Sequence, residues 1–290
     1  MSNKKTPCSS ERLTETPLAG LFAGQTHSSL EGRNLSGRPV TPYLRRALLV
    51  LLGVFVMQSH AQAACEDPAG PGVNWTGCDK SGLNLAGADL QSAVLRRVNF
   101  SNTDLSGARM QTADLSFSKL INTNFEKARL EQARINNTEI SNTSFKGAIL
   151  DEARLSRATI SNSDFTDVRA SKVNFYQVTI ENSAFTHSQL NQSDFTGAEI
   201  SKGQFENIIA GQVLFTRADL EAANFTNAML KGANFVSANL IEAKFDQADM
   251  SEASIRDAII DRASFTETKL SNATWVKYER CRLGSVGECE

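Results

Sequence analysis

The chain has 290 residues, 41% of them hydrophobic, with 30 Lys or Arg against 32 Asp or Glu. That is enough apolar material for the core of one or two domains. Residues 1–63 hold seven basic and three acidic side chains, so the remainder carries 23 basic against 29 acidic, a net charge of −6, which excludes recognition of a polyanion or polycation by bulk charge alone.

Residues 1–63 read as an N-terminal extension plus a signal peptide. Arg45 and Arg46 precede an unbroken apolar h-region at residues 47–57, followed by the small-residue site Ala61-Gln62-Ala63, which places cleavage after Ala63. An apolar run this short falls well below the roughly 20 residues that cross a bilayer, so no membrane span is expected after cleavage. The paired arginines resemble a twin-arginine signal, but the strongly apolar run favours the general secretory route. The expected location is periplasmic or secreted; the alternatives are an uncleaved anchor or lipidation of Cys65, against which Gln62 stands where a lipoprotein signal carries a Leu-like residue. Residues 1–40 are rich in Ser, Thr, Gly and Pro, a composition that forms no core. Initiation at Val40 instead of Met1 leaves a signal of ordinary length.

Residues 64–82 are assigned as an N-terminal cap and 83–275 as a repeat array. Taking every fifth residue from Trp75 to Trp275 gives 41 positions, of which 38 are Leu, Ile, Met, Phe or Trp; Lys80, Ala170 and Ala210 are the exceptions. The residue two before each of these centres is small in 39 of 41 cases, Leu83 and Ile208 excepted. On an α-helix, residues five apart are rotated by about 140°, so the centres would scatter around the cylinder. On a straight strand they would alternate between faces. A chain that turns a corner after each five-residue side keeps the centre and the small residue inside throughout.

The number of sides follows from a longer period. Phe occupies the centre at Phe125, Phe145, Phe165, Phe185, Phe205, Phe225, Phe245 and Phe265, twenty residues apart, and Phe175, Phe195, Phe215 and Phe235 repeat ten residues out of step. Asn102, Asn122, Asn142, Asn162 and Asn182 form a third column, suited to side-chain bonding between coils and to a left-handed corner. Four sides per coil put the two Phe columns on opposite walls, and about ten coils at about 4.8 Å each make a rod about 48 Å long. One coil buries four large side chains, about 6–12 kcal/mol, against about 20–40 kcal/mol of backbone ordering, so a lone coil cannot fold and the array must be long. At Ala170 and Ala210 the neighbouring small position grows to Val168 and Ile208, a volume compensation.

Ala88-Asp89-Leu90, Ala113-Asp114-Leu115, Ala218-Asp219-Leu220-Glu221-Ala222 and Ala233-Asn234-Phe235-Val236-Ser237 resemble the A(D/N)LXX motif of the pentapeptide repeat family. The resemblance implies an all-β, right-handed quadrilateral parallel β-helix. Residues 71–79 are also similar to the opening segment of exported bacterial members.

The ends need closing, because unpaired terminal strands invite aggregation. Trp75 and Trp275 fall on the same wall as lid candidates, and residues 276–290 are assigned as the C-terminal cap. Cys65, Cys78, Cys281 and Cys289 remain after signal removal; the separation of the two ends favours pairing Cys65 with Cys78 and Cys281 with Cys289. A zinc site is the rival, and it would need cysteines from opposite ends or helper histidines.

The sequence offers little chemistry. His187 lies at an outward position, no His accompanies the serines and threonines as a base, and a convex wall gives carboxylate pairs such as Asp151 and Glu152 no dry pocket. No catalytic residue, metal or cofactor is expected. The surface carries two candidates. Arg109 and Arg129 share one outward column and Arg134 and Arg154 the next, with Arg97, Arg157 and Arg169 nearby; Glu131, Asp151 and Glu152 can neutralise them. The apolar residues Ile149, Ile209, Leu214 and Met229 project from the same two walls. Three readings follow: an exported non-enzymatic scaffold for an unidentified protein partner, a DNA-shaped gyrase-binding protein of the kind the family resemblance implies, and a purely structural envelope protein. The export signal and the weak negative charge count against the second, and no nucleic-acid partner is expected.

Overall fold

A computed structural model describes residues 64–290; the extension, the h-region and the cleavage site lie outside the described residues. Every described repeat adopts the same pattern. The centre and the small residue two before it point inward, and parallel bridges join each outward residue to the one twenty positions on, from Asn74↔Val94 to Ser254↔Thr274. The backbone bonds repeat with them: Trp75 N–H donates to the Val94 carbonyl at 2.9 Å and Val94 N–H to the Val73 carbonyl at 2.8 Å. The ladder therefore starts at Asn74, inside the segment assigned as cap, because Trp75 already fills a centre and Cys78 a small position.

We name the four walls by their centres Phe125, Leu130, Ile135 and Ile140. The Ile140 wall contains β1 (Lys119–Ile121), β2 (Glu139–Ser141), β3 (Thr159–Ser161), β4 (Thr179–Glu181) and β5 (Glu199–Ser201), paired in parallel in that order. The Phe125 column stacks with ring centroids 4.6–5.2 Å apart, the spacing of neighbouring strands. Rings of the opposite Ile135 wall meet it edge-on, as Phe175 meets Phe185 at 6.1 Å and 86°. Val168 and Ile208 are buried beside Ala170 and Ala210, filling the volume the small centres leave.

Corners fall on the residue two after each centre, where φ is positive, as at Asn102 (60°) and Asn162 (48°). Asn tolerates this backbone, and its amide also links coils: Asn122 Nδ2 donates to Asn102 Oδ1 at 3.0 Å and Asn182 to Asn162 at 2.7 Å. Sequence reasoning gave no role to the Asp or Asn of the motif. The structure gives it one: that side chain accepts the N–H two residues on, which points outward at the corner, as Asn99 does from Ser101 at 3.1 Å and Asp104 from Ser106 at 3.0 Å. The Ser106 backbone bond holds the Asp104 carboxyl below the usual carboxylate range, and Ser81 does the same for Asp79.

The Ile140 wall uses a second kind of corner. Thr123 N–H donates to Thr143 Oγ1, Thr143 N–H to Ser163 Oγ and Ser163 N–H to Ser183 Oγ, so inward hydroxyls replace the turn bond that Ala223 N–H makes to the Leu220 carbonyl two coils beyond Ser183. The hydroxyl column ends at Gly203. A Cβ built there would lie 2.5 Å from Phe205 Cε2 and 2.7 Å from Ile200 Cγ2, although Ala occupies this position in most other repeats. Gly203→Ala is therefore expected to lose about 1–3 kcal/mol by overpacking, while Ala223→Gly, in the same column, loses less. Urea denaturation of the two variants checks this, and equal midpoints would mean that Gly203 is not sterically required.

Both ends are closed. Cys65 and Cys78 stand at disulfide geometry, as do Cys281 and Cys289, with Cα separations of 5.5 and 4.7 Å. Lys80, the polar centre, turns inward under the N-terminal lid: its ammonium donates to the Cys65 carbonyl and lies 3.9 Å from the centroid of the buried Trp75 ring, so the charge is bonded as a buried ion must be. At the other end residues 280–286 pair antiparallel with the last coil through Lys269↔Val286 and Thr274↔Arg280. Trp275 is only half-buried there, tilted over Phe265.

Candidate functional surface

No group of three or more His, Cys, Asp or Glu side chains comes together as a metal site among the described residues, and no helix there is long and apolar enough to cross a membrane. His187 sits alone at an outward corner with φ of 61°.

The Arg columns separate into two environments. On the Leu130 wall each guanidinium has a carboxylate: Arg109 lies 3.6 Å from Asp89, Arg129 2.8 Å from Glu131, and Arg169 pairs with Asp151. Glu152, expected to join this ladder, instead accepts from Gln132 Nε2 at 2.9 Å. This wall is a solvated charge ladder, and such exposed pairs add about 0–1 kcal/mol each. On the Ile135 wall compensation is thinner. Arg134 and Arg96 share the single carboxylate of Asp114 at 4.0 and 3.9 Å, and Arg154 has no ion-pair partner among the described residues.

The apolar candidates divide as well. Met229, Ile209 and Leu214 are exposed at 57, 41 and 38%, but Ile149 is half-buried between its neighbours. Ile209 and Met229 are bridged on adjacent coils of the Leu130 wall, and Leu214 projects from the next wall. Scattered exposure of this kind is ordinary.

One feature was legible in the sequence and passed over. Phe117 occupies an outward corner between the Ile135 and Ile140 walls, 46% exposed, with φ of 64°. Its left-handed backbone is the ordinary corner conformation, shared in the same column by Arg97, Arg157, Gln177 and Arg217, but no other Phe, Tyr or Trp of the repeat body occupies such a corner. The Arg97 guanidinium lies 5.5 Å from its ring centroid. The five-residue phase alone marks this Phe as outward.

A surface depression of about 730 Å³ lies on the Ile140 wall where the two corner types meet, between Gly197–Lys202 and Arg217–Ala222. Glu181, Glu199, Asp219 and Glu221 line it together with Lys202 and Arg217. It is an open step between coils of mixed charge and not an enclosed cavity.

Comparison with known proteins agrees with the geometry. The chain matches the family model for pentapeptide repeats over residues 76–111, 108–147, 210–240 and 233–272, and the pentapeptide repeat region over 140–215. Among solved structures it is similar to HetL of the cyanobacterium Nostoc, a pentapeptide repeat protein involved in regulation of heterocyst differentiation, at 21% identity and a TM-score of 0.66, with 72% of this chain and 92% of that chain covered. Rfr23 of Cyanothece is similar at 25% identity and a TM-score of 0.31 over 32% of this chain and 63% of that one. QnrB1, a plasmid-mediated fluoroquinolone resistance protein, is similar at 16% identity and a TM-score of 0.33 over 67% and 91%. The search of curated proteins returned no match.

Proposed function

Because this chain belongs to the pentapeptide repeat family, we propose that it is an exported, non-enzymatic scaffold whose rigid walls bind another protein. The observation that carries this reading is the pairing of side-chain ladders with an uninterrupted backbone ladder: outward residues twenty positions apart sit in fixed register from Asn74 to Thr274. A surface so ordered loses little side-chain and loop entropy on binding. Export is supported by the apolar segment at residues 47–57 with its small-residue site, and by cysteines that meet only in pairs at the two ends, the usage of an oxidising compartment.

Fractionation of cells carrying the full-length chain with a C-terminal tag tests the compartment. The tagged protein is expected in the periplasm or medium, shortened to an N-terminus at Ala64. Recovery of the intact chain in the cytoplasm would overturn export. In-cell cross-linking at Arg154, replaced by a photoreactive residue, is expected to join the chain to a different polypeptide; adducts absent from every wall position tried would overturn the scaffold reading.

A further inference from the structure

The corner between the Ile135 and Ile140 walls carries a concentration of positive charge around an exposed aromatic ring that packing does not require. Resting on the scaffold reading, we propose that this corner, centred on Phe117, is the docking site for an acidic segment of a partner protein, with Phe117 as its apolar anchor and Arg154 and Arg157 as its charged arms.

Four observations converge. Over the coils from Leu95 to Ile160, the outward positions of this corner hold Arg96, Arg97, Lys119, Arg134, Arg154 and Arg157 against only Asp114 and Glu139, a local charge of +4 where residues 64–290 as a whole carry −6. The neighbouring carboxylates are taken up elsewhere, Glu131 by Arg129 and Asp151 by Arg169, and Asp114 is divided between two guanidiniums at the limit of ion-pair distance. Phe117 keeps an exposed ring at a corner that its own column otherwise fills with polar residues or Gly, among them Gly77, Arg97, Asn137, Arg157 and Gln177. A large apolar ring kept in solvent where its column neighbours are polar or Gly points to a contact site. Finally, Arg97 over the ring holds it in place, and a fixed aromatic beside guanidiniums is the composition of binding hot spots.

The occupant follows from charge complementarity. Carboxylates suit guanidiniums one coil or more apart, and an apolar side chain covers the Phe117 ring. A nucleic acid fits less well, because the carboxylates of Asp114 and Glu139 interrupt the patch and the rest of the rod is negative, so a long polyanion is repelled beyond it.

Fluorescence anisotropy of the disulfide-intact protein, titrated against a labelled peptide of alternating Glu and Leu, tests the proposal. Saturable binding that weakens with salt is expected, with a peptide of alternating Lys and Leu not bound. Phe117→Asn places at the left-handed corner the residue that other corners use, so its melting temperature should stay level or rise while peptide affinity falls about tenfold or more. Arg154→Glu with Arg157→Glu should abolish binding, and Met229→Asn, on another wall, should leave it unchanged. Affinity unaffected by Phe117→Asn, a fall in its melting temperature that accounts for the lost binding, or tighter binding of a short DNA duplex than of the acidic peptide would each overturn the assignment. If the chain with Arg154→Glu and Arg157→Glu still cross-links to its partner in cells from a photoreactive residue at another wall position, the scaffold reading stands and the corner is not its site.

Discussion

Phe185→Ala is expected to destabilise the protein by about 3–5 kcal/mol, whereas Thr186→Ala, one residue later, stays within about 0.5 kcal/mol. Phe185 is fully buried, stacked between Phe165 at 4.8 Å and Phe205 at 5.1 Å, and meets Phe175 and Phe195 edge-on at 6.1 and 6.3 Å. Truncation removes a ring from a column whose members are each tied to their own coil by the backbone ladder. Phe185 N–H donates to the Gln204 carbonyl at 2.8 Å, so the coils above and below cannot close the void without breaking such bonds. Thr186 begins the corner and makes no comparable contact. Chemical denaturation of both variants measures the contrast, and equal losses would mean that the inward and outward assignments are wrong.

Reduction of the two disulfides is expected to cost about 2–3 kcal/mol at each end, given loops that close over sequence separations of 13 and 8 residues. The loss should be local. In a solenoid each coil contacts only its neighbours, so reduction releases the lids and frays the terminal coils while the middle stays folded. Hydrogen exchange should accelerate at Trp75, Cys78 and Lys80 and at residues 270–287, with amides around Phe165 and Phe185 unchanged. Mass spectrometry of the chain from residue 64 onward should first show no free thiol. Four alkylatable cysteines in the native protein would remove the disulfide basis for the closed ends.

The fold was legible because a single physical rule, one large and one small inward residue in every five, acts without interruption, and because the Phe and Asn columns expose the longer period of the coil. Three features were not legible from that rule. The motif's Asp or Asn looks merely polar in a sequence, and its acceptance of the N–H two residues on becomes visible only when the corner turns that donor outward. Lys80 read as a break in the pattern, yet its inward ammonium is satisfied by the Cys65 carbonyl and the Trp75 ring, partners that exist only once the disulfide lid is in place. Gly203 counted as one more small residue, and its requirement follows from how Phe205 and Ile200 fill the space beside it.

The candidate surface was legible in part. The phase placed Arg109, Arg129, Arg134 and Arg154 in their columns, but which column keeps its charge depends on rotamers reaching across coils to Asp89, Glu131 and Asp151. Phe117 is marked outward by its phase; that its exposed ring lies under a guanidinium depends on the rotamer of Arg97 one coil away.

The distance between spin labels on one outward column tests the architecture most directly. Asp89 and Lys269 lie on the Leu130 wall nine coils apart, and labels introduced there as non-canonical residues, leaving the cysteines untouched, should be separated by about 43 Å at about 4.8 Å per coil. Moving the second label back to Asp249, Met229 and Ile209 in turn should shorten the distance by about one coil spacing each time. A separation that does not step down with the twenty-residue period would contradict the four-sided solenoid and every surface assignment built on it.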